Sequence, residues 1–109
     1  MKKISKGKKV YEGPEGICFA SDHLYWYDED FNEINPPEEI KGSFNCSNTS
    51  ITSLEGCPRE VGKDFDCSYT SITSLEGCPE IIGDGFYCNN TKITSLKGSL
   101  KEVRGNFYC

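Results

Sequence analysis

Residues 50–58 read SITSLEGCP, and residues 71–79 read SITSLEGCP again, letter for letter. Around this stretch five columns keep the same 21-residue step: Phe44, Phe65, Phe86 and Phe107; Cys46, Cys67, Cys88 and Cys109; Ile51, Ile72 and Ile93; Leu54, Leu75 and Leu96; Ile40, Val61, Ile82 and Val103. Five columns in phase define a repeat, and the repeat decides the fold. One unit has too few apolar positions to bury a core alone. Stacked on its copies it can, because each column then runs unbroken through the stack.

The local chemistry of the unit follows from its spacing. In F-x-C the alternation turns Phe and Cys inward and the middle residue outward, which is a short strand. In-register parallel strands lie about 4.8 Å apart, so each column becomes a ladder. The chain should return through I-x-x-L, whose three-residue step suits a loop or a single 3₁₀-like turn. G-C-P then closes the coil: Gly56, Gly77 and Gly98 supply a backbone angle other residues resist, and Pro58 and Pro79 prevent strand extension. Thr49, Thr70 and Thr91 stand where a hydroxyl can satisfy the turn after the strand. Arg59, Glu80 and Lys101 alternate in sign down one column, which favours adjacent rungs. The expectation is a mainly β solenoid of 21-residue coils with a parallel β-sheet wall and an N-terminal β cap.

Upstream the pattern degrades. N-P-P-E-E-I at 35–40 matches the corner G-C-P-R-E-V at 56–61, and working back from it Leu24, Trp26, Phe31 and Ile34 fall on the Phe, Cys, Ile and Leu columns of a shorter coil. Ile17–Ala20 reads as a short strand, with a turn at 21–23. The chain therefore divides into a mobile basic tail at 1–9, an acidic N-terminal cap with a degenerate first coil at 10–39, and three repeats plus a final strand at 40–109.

Charge follows the same division. Residues 1–9 hold five lysines and no acid, 12–39 hold nine acids and no Lys or Arg, and 40–109 are nearly balanced. The acidic block would repel phosphates, which argues against direct nucleic-acid binding and for a partner with a basic surface. The N-terminus has lysines but no apolar run behind them, which fits neither a signal peptide nor a membrane span and points to the cytoplasm. There thiols stay reduced.

The unit G-S-F-N-C-S-N-T-S-I-T-S-L-E-G-C-P at 42–58 and its copies resemble the short leucine-rich-like repeats common in bacteriophage and bacterial proteins. The likeness covers residues 40–109. It implies a right-handed, leucine-rich-repeat-like solenoid and a protein-binding scaffold. The phage setting implies a protein that disables a host enzyme.

No catalytic or metal constellation emerges from the residues. The seven cysteines include no C-x-x-C, and one wall cysteine and one corner cysteine per coil fit small apolar core positions. Zinc held by four thiols of adjacent coils is the alternative, disfavoured because Ser99 breaks the corner column. Disulfides would need oxidation. His23 stands alone, with no positioned nucleophile beside it. G-D-G-F at 83–86 lacks the lysine and helix of a phosphate loop. No enzyme and no cofactor is expected.

A binding face is easier to assign. Core columns barely vary between repeats, whereas the outward wall reads Asn45, Asp66, Tyr87 and Tyr108, with Ser47, Ser68 and Asn89 beside it and Tyr69 in the turn column. Exposed aromatics among small polar groups are hot-spot material. Tyr25 and Tyr27 would extend this wall towards Asp28, Glu29, Asp30 and Glu33. The expected function is a non-enzymatic inhibitor of a nucleic-acid-handling host defence protein, anti-CRISPR-like, acting through the acidic cap and the wall. A self-associating repeat protein, dimerising through the last strand edge, and a thiol-based metal or redox protein are the rivals.

Overall fold

The structure, a computed structural model, describes residues 7–98 and 100–109; residues 1–6 of the expected 1–9 tail, and Ser99, lie outside the described residues. No helix forms among the described residues. The chain is mainly β, and its repeats stack as a solenoid of about three turns with roughly 21 residues per coil. The described chain measures 41 × 25 × 17 Å.

Four strands form the cap: β1 (Lys8–Gly13), β2 (Gly16–Ala20), β3 (Leu24–Tyr27) and β4 (Glu33–Ile34) make one antiparallel sheet in that order. Each coil then contributes two short strands to two separate parallel sheets. One wall stacks β6 (Phe44–Asn45), β8 (Phe65–Asp66), β10 (Phe86–Tyr87) and β12 (Phe107–Tyr108). The other stacks β5 (Glu39–Ile40), β7 (Glu60–Val61), β9 (Ile81–Ile82) and β11 (Glu102–Val103). Every wall pairing is in register at the repeat step, Phe on Phe and Val or Ile on its counterpart. Sequence patterning misses the second wall because Ile40, Val61, Ile82 and Val103 have no large apolar residue two places before or after them, so the alternation that F-x-C shows is absent.

The core is a set of ladders. Phe44, Phe65 and Phe86, Ile51 and Ile72, and Leu54 and Leu75 are fully buried. Centroids of successive phenylalanine rings lie 5.9, 5.3 and 4.9 Å apart from Phe44 down to Phe107. Backbone bonds tie the rungs together: Phe44, Phe65 and Phe86 donate their N–H groups to the carbonyls of Asp64, Gly85 and Asn106. The strand-ending turns close as the threonine column leads one to expect, with Thr49, Thr70 and Thr91 donating Oγ–H to the carbonyls of Cys46, Cys67 and Cys88 at 2.7, 2.8 and 3.0 Å. At the corner, Gly56 and Gly77 have φ of +97° and +89°, which only glycine adopts freely. Gly98 differs: its φ is not positive, and what requires glycine is close approach, since a Cβ there would lie 2.5 Å from the Leu75 carbonyl.

The cap departs from the sequence expectation in three ways. First, 24–34 is no coil. Asp28 accepts from the backbone N–H groups of Asp30 and Asn32, and that local turn reverses the chain into an antiparallel hairpin. Phe31 sits in this turn at φ +63° and is exposed, so it joins no core column. Second, Trp26 continues the phenylalanine ladder, its ring 5.8 Å from that of Phe44 and covered by Tyr11 at 5.5 Å. Leu24 lies instead against Gly56 and donates its N–H to the Glu55 carbonyl, which places it over the leucine column. Third, Lys8 and Lys9 pair with Ala20 and Phe19 inside β1, so the expected tail boundary falls within a strand.

Candidate partner-binding face

The first wall positions the outward residues. Asn45, Asp66, Tyr87 and Tyr108 lie side by side on β6, β8, β10 and β12, as the alternation requires. Their roles divide by rung. Asn45 folds back so that its Oδ1 accepts from Ser47 N–H at 2.9 Å, and Asp66 Oδ1 accepts from Ser68 N–H at 2.9 Å. These two residues finish their strands, and Ser68 is buried rather than available to a partner. In the lower rungs the same column carries rings: Tyr87 and Tyr108 stack with centroids 5.0 Å apart and planes inclined by 10°. Tyr87 rests over Gly85, where a Cβ would come within 2.9 Å of the ring. Gly85 occupies the position of Ser43 and Asp64 in the rungs above, so the second glycine of G-D-G-F makes room for a ring. That exchange is readable in the repeat alignment once the ring's direction is known.

Tyr69 stands at the turn with φ +57° and is 58% exposed, the corresponding Asn48 and Asn90 having φ of +56° and +55°. Asparagine tolerates this left-handed conformation; tyrosine does so at a cost.

The cap residues do not extend the wall. β3 pairs with β2 and β4, and the cap strand packed beside β6 is β1. The upper end of the wall therefore meets Lys8 and Lys9, which line a depression with Asn45, Ser47 and Asn48. Tyr25 lies on another side, stacked on His23 at 4.1 Å and donating its hydroxyl to Asp22 at 2.9 Å. Tyr27 is 4% exposed: it lies on the face of β3 opposite Trp26, where Phe19 of the neighbouring strand covers it.

The acids group differently from their linear order. Asp28 and Glu29 from the β3–β4 turn meet Glu12 from the end of β1 and Glu15 from the β1–β2 turn around a depression of about 430 Å³, which Ile17 and Ile34 also line. Glu29, Asp30 and Glu33 are exposed, whereas Asp28 holds the turn. Glu12 and Glu15 belong with this group and were not among the expected site residues; only the sheet brings the two turns together. Tyr11 donates its hydroxyl to Glu15, and burial, aided by that carboxylate, pushes its pKa up to about 12.

Burial pushes the Cys18 thiol up to about 12 and raises Cys46, Cys57 and Cys67 well above the ordinary range. Cys88 and Cys109 continue the wall column on adjacent rungs, with Cα atoms 4.6 Å apart. Among the described residues no three His, Cys, Asp or Glu side chains converge as a metal ion requires, and no helix is long and apolar enough to cross a membrane. No protein-family model, curated protein or solved structure matches this chain.

Proposed function

We propose that the chain is a protein-binding module without catalysis of its own, which presents its tyrosine-bearing wall and its acidic turns to a partner with a basic surface. The observation that carries this reading is the Tyr87–Tyr108 stack, two exposed or half-exposed rings held parallel on a rigid sheet. Aligned rings supply contact area at little entropic cost. The nine acids of residues 12–39 supply long-range attraction to a basic partner. Raised thiol pKa values favour a structural role for the buried cysteines over a nucleophilic one. In its narrower form the partner is a nucleic-acid-handling defence protein of a phage host, inhibited in the host cytoplasm through its phosphate-binding groove.

The test is capture of partners from candidate host cells on immobilised protein, followed by affinity measurement across ionic strength. Neutralising Glu29, Asp30 and Glu33, with Asp28 left to hold its turn, should weaken binding and flatten its salt dependence. Unchanged affinity sinks the acidic contribution, and unchanged nuclease activity sinks the narrower form. Exposure of Leu96, Phe107 and Tyr108 at 61%, 40% and 43% favours a second reading, self-association through the last rung. Light scattering that shows a monomer at all concentrations removes it.

A further inference from the structure

One depression on the wall combines an aromatic face with fixed negative charge. It holds about 210 Å³ and is lined by Ser43, Phe44, Asn45, Asp64, Asp66 and Tyr87. Tyr87 is paired in register with Tyr108 on one side and Asp66 on the other. Its ring stacks on Tyr108, so the aromatic ladder stops at Tyr87, and the next place in the column, one strand spacing away, belongs to a carboxylate.

Both carboxylates are positioned through a single oxygen. Asp64 Oδ1 accepts from Gly85 N–H at 2.9 Å, and Asp66 Oδ1 accepts from Ser68 N–H at 2.9 Å. Among the described residues neither makes an ion pair. Partial burial raises the Tyr87 phenol pKa, and Asp64, Tyr108, Asp84 and Asp66 add to the shift. The three carboxylates Asp64, Asp84 and Asp66 set negative charge around the ring. Among the described residues no cation lines this depression; Lys8 and Lys9 line the neighbouring one, which shares Asn45 with it.

A flat ring face, bordered by two anchored carboxylates, fits a planar cation. We propose that this depression takes the guanidinium group of an arginine side chain on the partner, stacked on Tyr87 as the next member of the Tyr108–Tyr87 ladder and paired with Asp66 and Asp64. This deepens the binding-module reading and rests on it. Arginine suits the site better than lysine because a guanidinium stacks on a ring and offers a fork of donors to carboxylates, while an ammonium is a compact, strongly hydrated charge.

The test is an NMR titration of the full chain with three peptides, acetyl-Gly-Arg-Gly-amide and its lysine and citrulline analogues, following backbone amides at low salt. The arginine peptide should give saturable shifts confined to residues 64–66 and 85–87. The lysine analogue should bind several-fold more weakly, and the citrulline analogue, planar but uncharged, should not bind. Asp66→Asn should lower arginine affinity by about threefold to tenfold, the range expected for one charge-assisted hydrogen bond in a shallow site. It should fold normally, because Asn45 already ends its own strand in the same way. Asp64→Asn keeps an acceptor for Gly85 and gives a second reading of the charge, and Tyr87→Asn removes the ring.

Equal binding of the citrulline peptide, no saturable shift with the arginine peptide, or full affinity in all three variants overturns the site. Because the titration needs no natural partner, the two readings fail separately. A captured partner indifferent to these variants overturns the arginine site and leaves the module; arginine binding with no captured partner supports the site and counts against the module.

Discussion

Phe44 and Phe65, one repeat apart in sequence, lie with ring centroids 5.9 Å apart and planes inclined by only 6°. Both are fully buried, between Trp26 above and Phe86 below. The rest of the coil is arranged around this ladder, so a ring lost from its middle cannot be replaced by collapse of a neighbour held in register by two walls.

Phe65→Ala should therefore cost about 3–5 kcal/mol, the range for a buried phenylalanine whose cavity persists. Urea unfolding followed by circular dichroism measures it. A loss below about 1 kcal/mol would show that the rungs close over the gap, against the rigidity argued here.

Tyr69→Asn should stabilise the fold. The turn holds φ near +57° in three successive rungs, and asparagine fills it in two of them. Removing the left-handed tyrosine should raise stability by about 1 kcal/mol, read as a higher urea midpoint at unchanged slope. If the tyrosine contributes to partner recognition, the same substitution weakens binding while it strengthens the fold. A merely structural residue would show no such opposition.

Alkaline pH should unfold the protein earlier than its exposed side chains suggest. Burial raises the folded-state pKa of Cys18 and Tyr11 to about 12, from unfolded values of 9.0 and 10.0, and raises Cys46, Cys57 and Cys67 further. Groups raised in the folded state contribute stability that is complete below the unfolded pKa and lost as pH rises through the folded one. Unfolding midpoints should thus fall from about pH 9 as the thiols begin to ionise in the unfolded chain, and fall more steeply above pH 10 when Tyr11 joins them. Midpoints constant from pH 8 to roughly pH 11 would contradict the buried-thiol arrangement. Tyr11→Phe should shift the upper part of the profile alone.

The candidate face was legible in part. Tyr87, Tyr108, Asn45 and Asp66 could be placed on one outward column because period two along a strand and period 21 along the chain assign direction without coordinates. Period two also sets Tyr27 on the face of β3 opposite Trp26, but its burial there under Phe19 depends on the pairing of β2 with β3, which no period encodes. Glu12 and Glu15 were missed because their nearness to Asp28 and Glu29 depends on which strands pair, and four short cap strands allow several pairings.

By itself the sequence determined the rungs: identical units must stack in register, since only then does each apolar column become continuous and each backbone group find its counterpart one repeat away. Only the tertiary structure decided the second wall, the antiparallel cap, and the seating of Tyr87 over Gly85 beside Asp64 and Asp66. Those features come from contacts between unlike segments, where no periodicity relates one residue to the next and the pairing of lowest free energy emerges only once the chain has packed.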